Sequence, residues 1–133
     1  MSKGPTSALS FTKLVVDDLE KMTAFYCDVY GMKELQRVQA HIGTDPIDET
    51  ILSSGEDVSV VLILMKYVEK APPTNGEVVL GFRTDDIEKL FARIRAAGGG
   101  IYLDIKDEPG APYKAGFATD PEGHLTEILQ FNE

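Results

Sequence analysis

A six-residue phrase occurs twice in this sequence, and its repetition limits the folds that the chain can adopt. Residues 17–22 read DDLEKM and residues 85–90 read DDIEKL, a shift of 68 positions along a chain of 133 residues. Each copy follows a short apolar run, and each opens a segment with helical spacing that ends at glycine. Two matches with the same flanking order, half a chain apart, predict an internal structural repeat.

The patterns around each copy predict the repeated unit. An apolar stripe at helical spacing runs through residues 19–29, with Asp17 or Asp18 as the expected N-cap and Gly31 as the expected end of the helix. Alternating and β-branched stretches predict one strand before each helix and three after it. The expected strands cover residues 9–16, 32–40, 49–53, 59–66, 78–84, 101–105, 116–119 and 124–131, and the second helix covers 86–97.

The predicted fold class is therefore α+β, with two βαβββ modules in tandem within a single domain of residues 1–133. Module one covers about residues 9–68 and module two about 77–131. The linker between them, about residues 69–76, contains two prolines and an Asn-Gly pair, which are typical of a connecting segment. A chain of this length is long enough to bury a hydrophobic core.

Composition excludes several classes of partner. The net charge of −9 disfavours nucleic acid or an anionic membrane as the main partner. The longest apolar run, residues 58–65, is far too short to span a membrane, and the N-terminus lacks the apolar segment of a signal peptide. The single cysteine, Cys27, rules out an internal disulfide and suits a reducing compartment. We expect a cytoplasmic protein.

Two motifs within the repeat resemble the vicinal oxygen chelate superfamily. Residues 18–32 read DLEKMTAFYCDVYGM, and residues 117–127 read FATDPEGHLTE, which is similar to the closing motif of that family. The superfamily includes glyoxalase I, extradiol dioxygenases, fosfomycin-resistance proteins and bleomycin-binding proteins, and the likeness covers residues 9–131. The resemblance implies two curled mixed sheets around a cavity, each with a helix on its outer face.

The resemblance also implies where a metal would bind in the enzymes of the family. Four inward side chains hold a divalent metal there, and the matching positions in this sequence are Phe11, Ile63, Val79 and Glu127. Three of these side chains are apolar, whereas a catalytic divalent cation requires several oxygen or nitrogen donors. We therefore expect no metal and no other cofactor, and a cavity in place of the metal centre.

The side chains that share a face with these positions predict the nature of the cavity. Counting by twos along the strands gives a mostly apolar surface with a few charged groups, which is typical of a small-molecule pocket. The predicted ligand-binding residues are Phe11, Lys13, Ile63, Met65, Val79, Arg83, Tyr113 and Glu127. We expect an apolar or aromatic small molecule with a polar or anionic group that Arg83 or Lys13 binds.

Each of these residues also has a purely structural interpretation. Glu127 and Arg83 are equally consistent with a buried ion pair, and a lysine such as Lys13 commonly extends its amine to solvent. Tyr113 falls in a predicted loop, where a tyrosine is more often exposed than bound to a ligand. His124 follows a tight turn and is expected at the surface, although histidine is the side chain best suited to proton chemistry near neutral pH.

Three further side chains with charge or reactivity are weaker candidates. Arg37 lies one residue away from a family position that contacts anionic groups, and one residue reverses the face of a strand. His41 is expected at the surface. Cys27 lies on a helix whose inner face is core, and no pattern marks it as a nucleophile.

Three functions remain open on these grounds. The first is metal-independent binding or sequestration of a small molecule, in the manner of the bleomycin-binding branch, whose members are dimers with pockets between subunits; the resemblance thus implies a homodimer. The second is a cofactor-free lyase or isomerase that uses Glu127 as a general base, made more basic by apolar neighbours. The third is a partner-binding domain without a ligand. Classical glyoxalase activity ranks last because the metal ligands are missing.

Overall fold

The computed structural model of the protein describes residues 7–55, 59–72, 76–107 and 109–132. Within these ranges, two helices and eight strands follow the order βαβββ twice. In chain order they are β1 (Thr12–Val15), α1 (Leu19–Tyr30), β2 (Lys33–Ile42), β3 (Asp45–Ser53), β4 (Val60–Tyr67), β5 (Leu80–Arg83), α2 (Ile87–Ala96), β6 (Gly100–Asp107), β7 (Tyr113–Thr119) and β8 (Leu125–Phe131).

The strands form two sheets with the same internal order. The first sheet is arranged β1-β4-β3-β2 and the second β5-β8-β7-β6. In each sheet the first strand of the module pairs in parallel with the last, and the other neighbours are antiparallel. The predicted α+β class with two tandem βαβββ modules is confirmed.

The repeated phrase starts the two helices in the same way. The Asp18 carboxylate accepts a hydrogen bond from the Lys21 backbone N–H at 3.0 Å, and Asp86 accepts from the Lys89 backbone N–H at the same distance. An N-cap of this kind stabilises a helix by about 1 kcal/mol. Helix α1 ends at Gly31, whose φ of 68° lies in the left-handed region that glycine tolerates best.

Strands β3 and β7 begin earlier than predicted, whereas β1 begins later, at Thr12. Strand β3 begins at Asp45 because only Gly43 and Thr44 separate it from β2, and Ile42 pairs directly with Asp45. Strand β7 begins at Tyr113, inside the predicted loop, because Tyr113 pairs with Phe131 of β8. Local sequence signals predicted a loop at both stretches, whereas each stretch pairs with a neighbouring strand of its sheet. Residues 73–75 of the predicted linker lie outside the described residues.

The apolar core is continuous between the modules. The predicted stripe of α1 is buried, as are the inward residues of α2, and both helices belong to one cluster of buried side chains. The largest fully buried side chains include Tyr26 and Met22 from α1 and Phe91 from α2. None of the helices within the described residues has the length and apolar character needed to cross a membrane.

Candidate functional site

The first sheet carries half of the predicted site on the side away from its helix. Lys13 lies beside Ile63, and Val15 lies beside Met65, in the parallel pairing of β1 with β4. Ile63 and Met65 are buried, and Phe11, which precedes the strand, is 42% exposed. We call the side chains of Phe11, Lys13, Glu49, Ile63 and Met65 the first-sheet face.

An ion pair between a partly exposed lysine and a buried carboxylate occupies this face. Lys13 Nζ lies 2.6 Å from Glu49 Oε2, and the Glu49 side chain is only 7% exposed. The interpretation that the Lys13 amine extends into solvent is therefore wrong. Sequence analysis placed Glu49 at the first position of the predicted strand but did not single it out as a site residue. The signal is the alternation of Ile47, Glu49 and Ile51, which puts the carboxylate on the same face as two apolar side chains. The positive charge of Lys13 is compensated.

The second sheet carries the other half of the predicted site. Glu127 lies beside Gly81 of β5 on one side and Phe117 of β7 on the other. Within the described part of the chain it makes neither a hydrogen bond nor an ion pair. Val79 is half exposed at the edge of the sheet. Arg83, Tyr113, Glu127 and Phe131 form the second-sheet face.

Arg83 makes an aromatic contact and does not pair with Glu127. Its guanidinium carbon lies 4.1 Å from the centre of the Phe131 ring, which in turn packs against Tyr113 with ring centres 5.4 Å apart. The predicted Glu127–Arg83 ion pair is absent. Tyr113 belongs to strand β7, not to a loop, and its ring supports the ring on which Arg83 lies.

A cavity of about 410 Å³ lies between the two modules, and we call it the junction pocket. It is formed by the starts of β1 and β4, the end of α1, and strand β5. Its lining residues are Thr12, Tyr30, Met32, Ser54, Val61, Leu62, Leu80, Gly81, Phe82 and Arg83. Of the residues predicted to bind a ligand, only Arg83 lines this cavity. No other residue of the first-sheet or second-sheet face is among the described residues that line it.

A second cavity, of about 600 Å³, lies beside the start of α1 and is lined in part by Glu20, Arg37, Asp48 and Glu49. Arg37 Nη1 lies 2.6 Å from a Glu20 oxygen, and its Nε lies 2.7 Å from a Glu34 oxygen. These two carboxylates raise the pKa of the Arg37 guanidinium and compensate its charge. The cavity is therefore acidic in balance.

The closing motif forms a clasp between the modules, defined by residues 120–124. His124 is buried, so the expectation that it lies at the surface is wrong. Its Nδ1 lies 2.8 Å from Asp120 Oδ2, and its Nε2 lies 3.0 Å from the Val15 carbonyl oxygen of β1. The Tyr26 hydroxyl of α1 donates to Asp120 Oδ2 at 2.8 Å. The contact with Val15 spans 109 positions, and local sequence carries no signal for it.

The clasp also holds the start of helix α1. The Glu122 carboxylate accepts hydrogen bonds from the backbone N–H groups of Asp17 and Asp18 at 2.9 and 2.7 Å. A negative group at this position suits the partial positive charge of a helix N-terminus. The motif DPEGH thus acts as a structural connection between the two copies of the repeat.

Comparison with known families decides where the chain belongs. The model of the Glyoxalase/Bleomycin resistance protein/Dioxygenase superfamily matches residues 8–128. The chain belongs to that superfamily. The superfamily is the one that the repeat and the two motifs predicted, so the resemblance is confirmed.

Relatives within the superfamily carry the name lactoylglutathione lyase. A lactoylglutathione lyase of Arabidopsis thaliana is 30% identical over 123 residues, which are 86% of this chain and 41% of the plant protein. A lactoylglutathione lyase of Salmonella typhimurium is 28% identical over 130 residues, covering 92% of this chain and 91% of that protein. The chain thus spans about two fifths of the plant relative and nearly all of the bacterial one.

Solved structures show the same superfamily fold. A glyoxalase family protein from Bacillus cereus superimposes with a TM-score of 0.85 at 13% identity, covering 100% of this chain and 99% of that one. A variant of glyoxalase I from Zea mays gives a TM-score of 0.69 at 26% identity, covering 92% of this chain and 45% of the maize chain.

The metal of the superfamily enzymes does not fit the residues present here. The four positions at which the resemblance implies metal ligands carry two exposed apolar side chains, Phe11 and Val79, one buried apolar side chain, Ile63, and one carboxylate, Glu127. Among the described residues, no three or more His, Cys, Asp or Glu side chains are grouped so that they could hold a metal ion. A single carboxylate is too small a donor set for a catalytic divalent cation.

Proposed function

We propose that this protein binds a small organic molecule without the help of a metal. The observation that carries the proposal is the replacement of three of the four family metal ligands by Phe11, Ile63 and Val79. Apolar side chains at these positions favour contact with an apolar ligand over coordination of a cation. The proposed role is sequestration of the ligand, as in the bleomycin-binding branch, because sequestration requires binding alone and no catalytic residue.

Both predicted halves of the site support a ligand with an apolar body. Ile63 and Met65 supply buried apolar surface on the first-sheet face, and Phe117 and Phe131 supply aromatic surface on the second sheet. Apolar walls with a few placed polar groups are the usual composition of a small-molecule site. Phe11, Lys13, Ile63, Met65, Val79, Arg83, Tyr113 and Glu127 remain the proposed ligand-binding set.

A homodimer is part of this proposal. Strands β1 and β5 are each one of the two edge strands of their sheets, and the apolar side chains of Phe11 and Val79 near these edges are 42% and 50% exposed. Exposed apolar surface beside unpaired strand edges is a common basis for association. A second copy that covers these edges would combine the first-sheet face of one chain with the second-sheet face of its partner. We place this dimer in the cytoplasm, where a free Cys27 stays reduced.

Metal content and ligand response together test the proposal. The protein is purified without chelators and without a metal-binding tag, and its metals are measured by elemental analysis. We expect well below one equivalent of zinc, nickel, iron or manganese per chain. A fragment library is then screened by thermal shift, since any compound that binds the native state raises Tm. One tightly held metal per chain overturns the proposal, and so does a complete lack of response to the library.

A lyase is the competing function, because several relatives carry the name lactoylglutathione lyase. In that version Glu127 acts as the base. Its neighbours across the strands, Gly81 and Phe117, offer no group that would orient a carboxylate for proton transfer. Formation of S-lactoylglutathione from methylglyoxal and glutathione is the direct assay. We expect no turnover; turnover that Glu127→Gln abolishes would establish the lyase.

A further inference from the structure

The two cations of the predicted site differ in whether a carboxylate already compensates their charge. Lys13 is paired with Glu49 at 2.6 Å, so its charge is already compensated. Arg83 has no acidic partner within the described residues, and its guanidinium lies over the Phe131 ring. An anion that enters the site therefore gains more from Arg83 than from Lys13.

The contact with Phe131 orients the Arg83 guanidinium for binding an anion. A ring at 4.1 Å below the guanidinium stabilises the cation and restricts the plane of the group. The Phe131 ring in turn packs against the Tyr113 ring, which limits the movement of the ring beneath Arg83. The N–H groups at the edge of a stacked guanidinium remain available for a bidentate hydrogen bond to a carboxylate.

The junction pocket supplies the apolar part of a site around Arg83. Its walls include Val61 and Leu62 from the first sheet and Leu80 and Phe82 from the second. The Phe82 ring stacks on the Tyr30 ring with centres 3.7 Å apart and an angle of 7° between planes. This stack makes one wall flat and rigid, which suits a planar ligand. Arg83 is the only charged side chain among the described lining residues.

We propose that the junction pocket binds a planar or elongated apolar monocarboxylate, with its carboxylate on Arg83 and its body against Phe82 and Leu62. The inference rests on the proposed small-molecule function and adds the place, the charge and the anchoring residue. A volume of about 410 Å³ is within the range of known ligand pockets. One anchoring cation in a chain of net charge −9 favours a single negative charge over two, because the rest of the molecule repels anions.

The test uses two probes that differ only in charge. The sodium salt of 2-naphthoic acid and the neutral 2-naphthamide are titrated into the intact protein by calorimetry. The wild type is expected to bind 2-naphthoate with one site per chain and at least 10-fold more tightly than 2-naphthamide. A hydrogen-bonded charge of this kind accounts for a change of roughly that size.

Four variants locate the anchor. Arg83→Gln is expected to weaken 2-naphthoate binding by at least 10-fold and to leave 2-naphthamide binding unchanged, and Arg83→Lys is expected to be intermediate. Arg95→Gln removes an exposed arginine of α2 outside the pocket and serves as the matched control, with no expected change. Lys13→Met is expected to weaken 2-naphthoate binding less than Arg83→Gln does, because Glu49 already compensates the Lys13 charge. Circular dichroism confirms that each variant is folded, which is expected for Arg83 because its side chain is exposed.

The outcomes separate this inference from the proposed function. Binding of 2-naphthoate that survives Arg83→Gln but is lost in Lys13→Met overturns the inference and leaves small-molecule binding in place. If the wild type binds neither probe, or binds both equally, the inference is also wrong. The fragment screen described above then decides the proposed function alone. Backbone amide shifts at Leu80 and Gly81 on addition of 2-naphthoate are the expected spectroscopic sign of the pocket.

Discussion

The imidazole of His124 and the carboxylate of Asp120 lie 2.8 Å apart at a position almost closed to solvent. The other ring nitrogen of His124 faces the Val15 carbonyl oxygen at 3.0 Å. A carboxylate and a carbonyl only accept hydrogen bonds, so both ring nitrogens must carry a hydrogen to satisfy the two contacts. The geometry therefore favours the imidazolium form of His124. Burial alone lowers the pKa of His124, but the hydrogen bond and charge of Asp120 outweigh it, and the net shift is upward.

The raised pKa of His124 predicts a stability that falls as the pH rises. Because the folded pKa lies above the unfolded value of about 6.5, the contribution is complete below that value and is lost as the pH passes through the folded pKa. Urea unfolding from pH 5.5 to 9 should show wild type and His124→Gln converging as the pH increases. Asp120, Tyr26 and Glu122 are the other titratable groups around the ring. A constant difference across this range would contradict a charged histidine.

Tyr26→Phe tests the clasp without changing its charge. The Tyr26 hydroxyl donates to the Asp120 carboxylate in the buried core, and burial together with Asp120 raises the pKa of this phenol, so it stays neutral. Loss of the hydrogen bond is expected to reduce the free energy of unfolding by about 2 kcal/mol, since the acceptor is charged. Chemical denaturation provides the measurement. Tyr102→Phe, at a tyrosine that is 65% exposed, is the control and should change stability by less than about 0.5 kcal/mol.

Substitution of Lys13 should destabilise the protein because Glu49 loses its counter-ion. Lys13→Met leaves the Glu49 carboxylate buried without its cation, and we expect a loss of about 2 kcal/mol, less than for a fully buried pair because Lys13 is one-third exposed. The double variant Lys13→Met with Glu49→Leu should recover most of this loss. Unfolding in urea of both single variants and the double variant gives the coupling energy. Additive effects would mean that the two side chains do not interact.

A methyl group at Gly116 should overpack the second module. A Cβ at this position would lie 2.5 Å from Phe91 Cζ, and Phe91 is 1% exposed, so neither side can move freely. Gly116→Ala is expected to destabilise the protein by about 1–3 kcal/mol. Gly81→Ala meets nothing within 4 Å and is the matched control, with an expected change within about 0.5 kcal/mol. Recovery of stability in Gly116→Ala/Phe91→Leu would identify the contact as the cause.

Sequence and structure agree where the determinants are local. Asp18 and Asp86 cap their helices through the N–H three residues later, and such contacts follow from spacing alone. The repeat then predicted the fold. The placements of Glu49 and Tyr113 depended on strand register, which pairs them with Met65 and Phe131 far along the chain. Such register comes from the packing of whole sheets, and local patterns do not contain it.

Contacts between the two modules also explain why the sequence predicted neither the burial of His124 nor the junction pocket. His124 was expected at the surface from the turn before it, whereas its partner Val15 lies in the other module. The junction pocket combines β5 with the starts of β1 and β4, so its existence depends on how the modules dock. Strand alternation placed Arg83 on the same face of the second sheet as Glu127, but the sequence did not predict its contact with Phe131.

The clasp is formed by hydrogen-bonding groups from both halves of the chain, so neither half can form it alone. The first half contributes the Val15 carbonyl, the Tyr26 hydroxyl and the open end of helix α1, and the second half contributes Asp120, Glu122 and His124. A polypeptide cut between Pro72 and Gly76 would thus yield two fragments with matching donors, acceptors and apolar surface. Fragment complementation should restore the native assembly from separately expressed halves, which makes this protein a candidate scaffold for a split reporter.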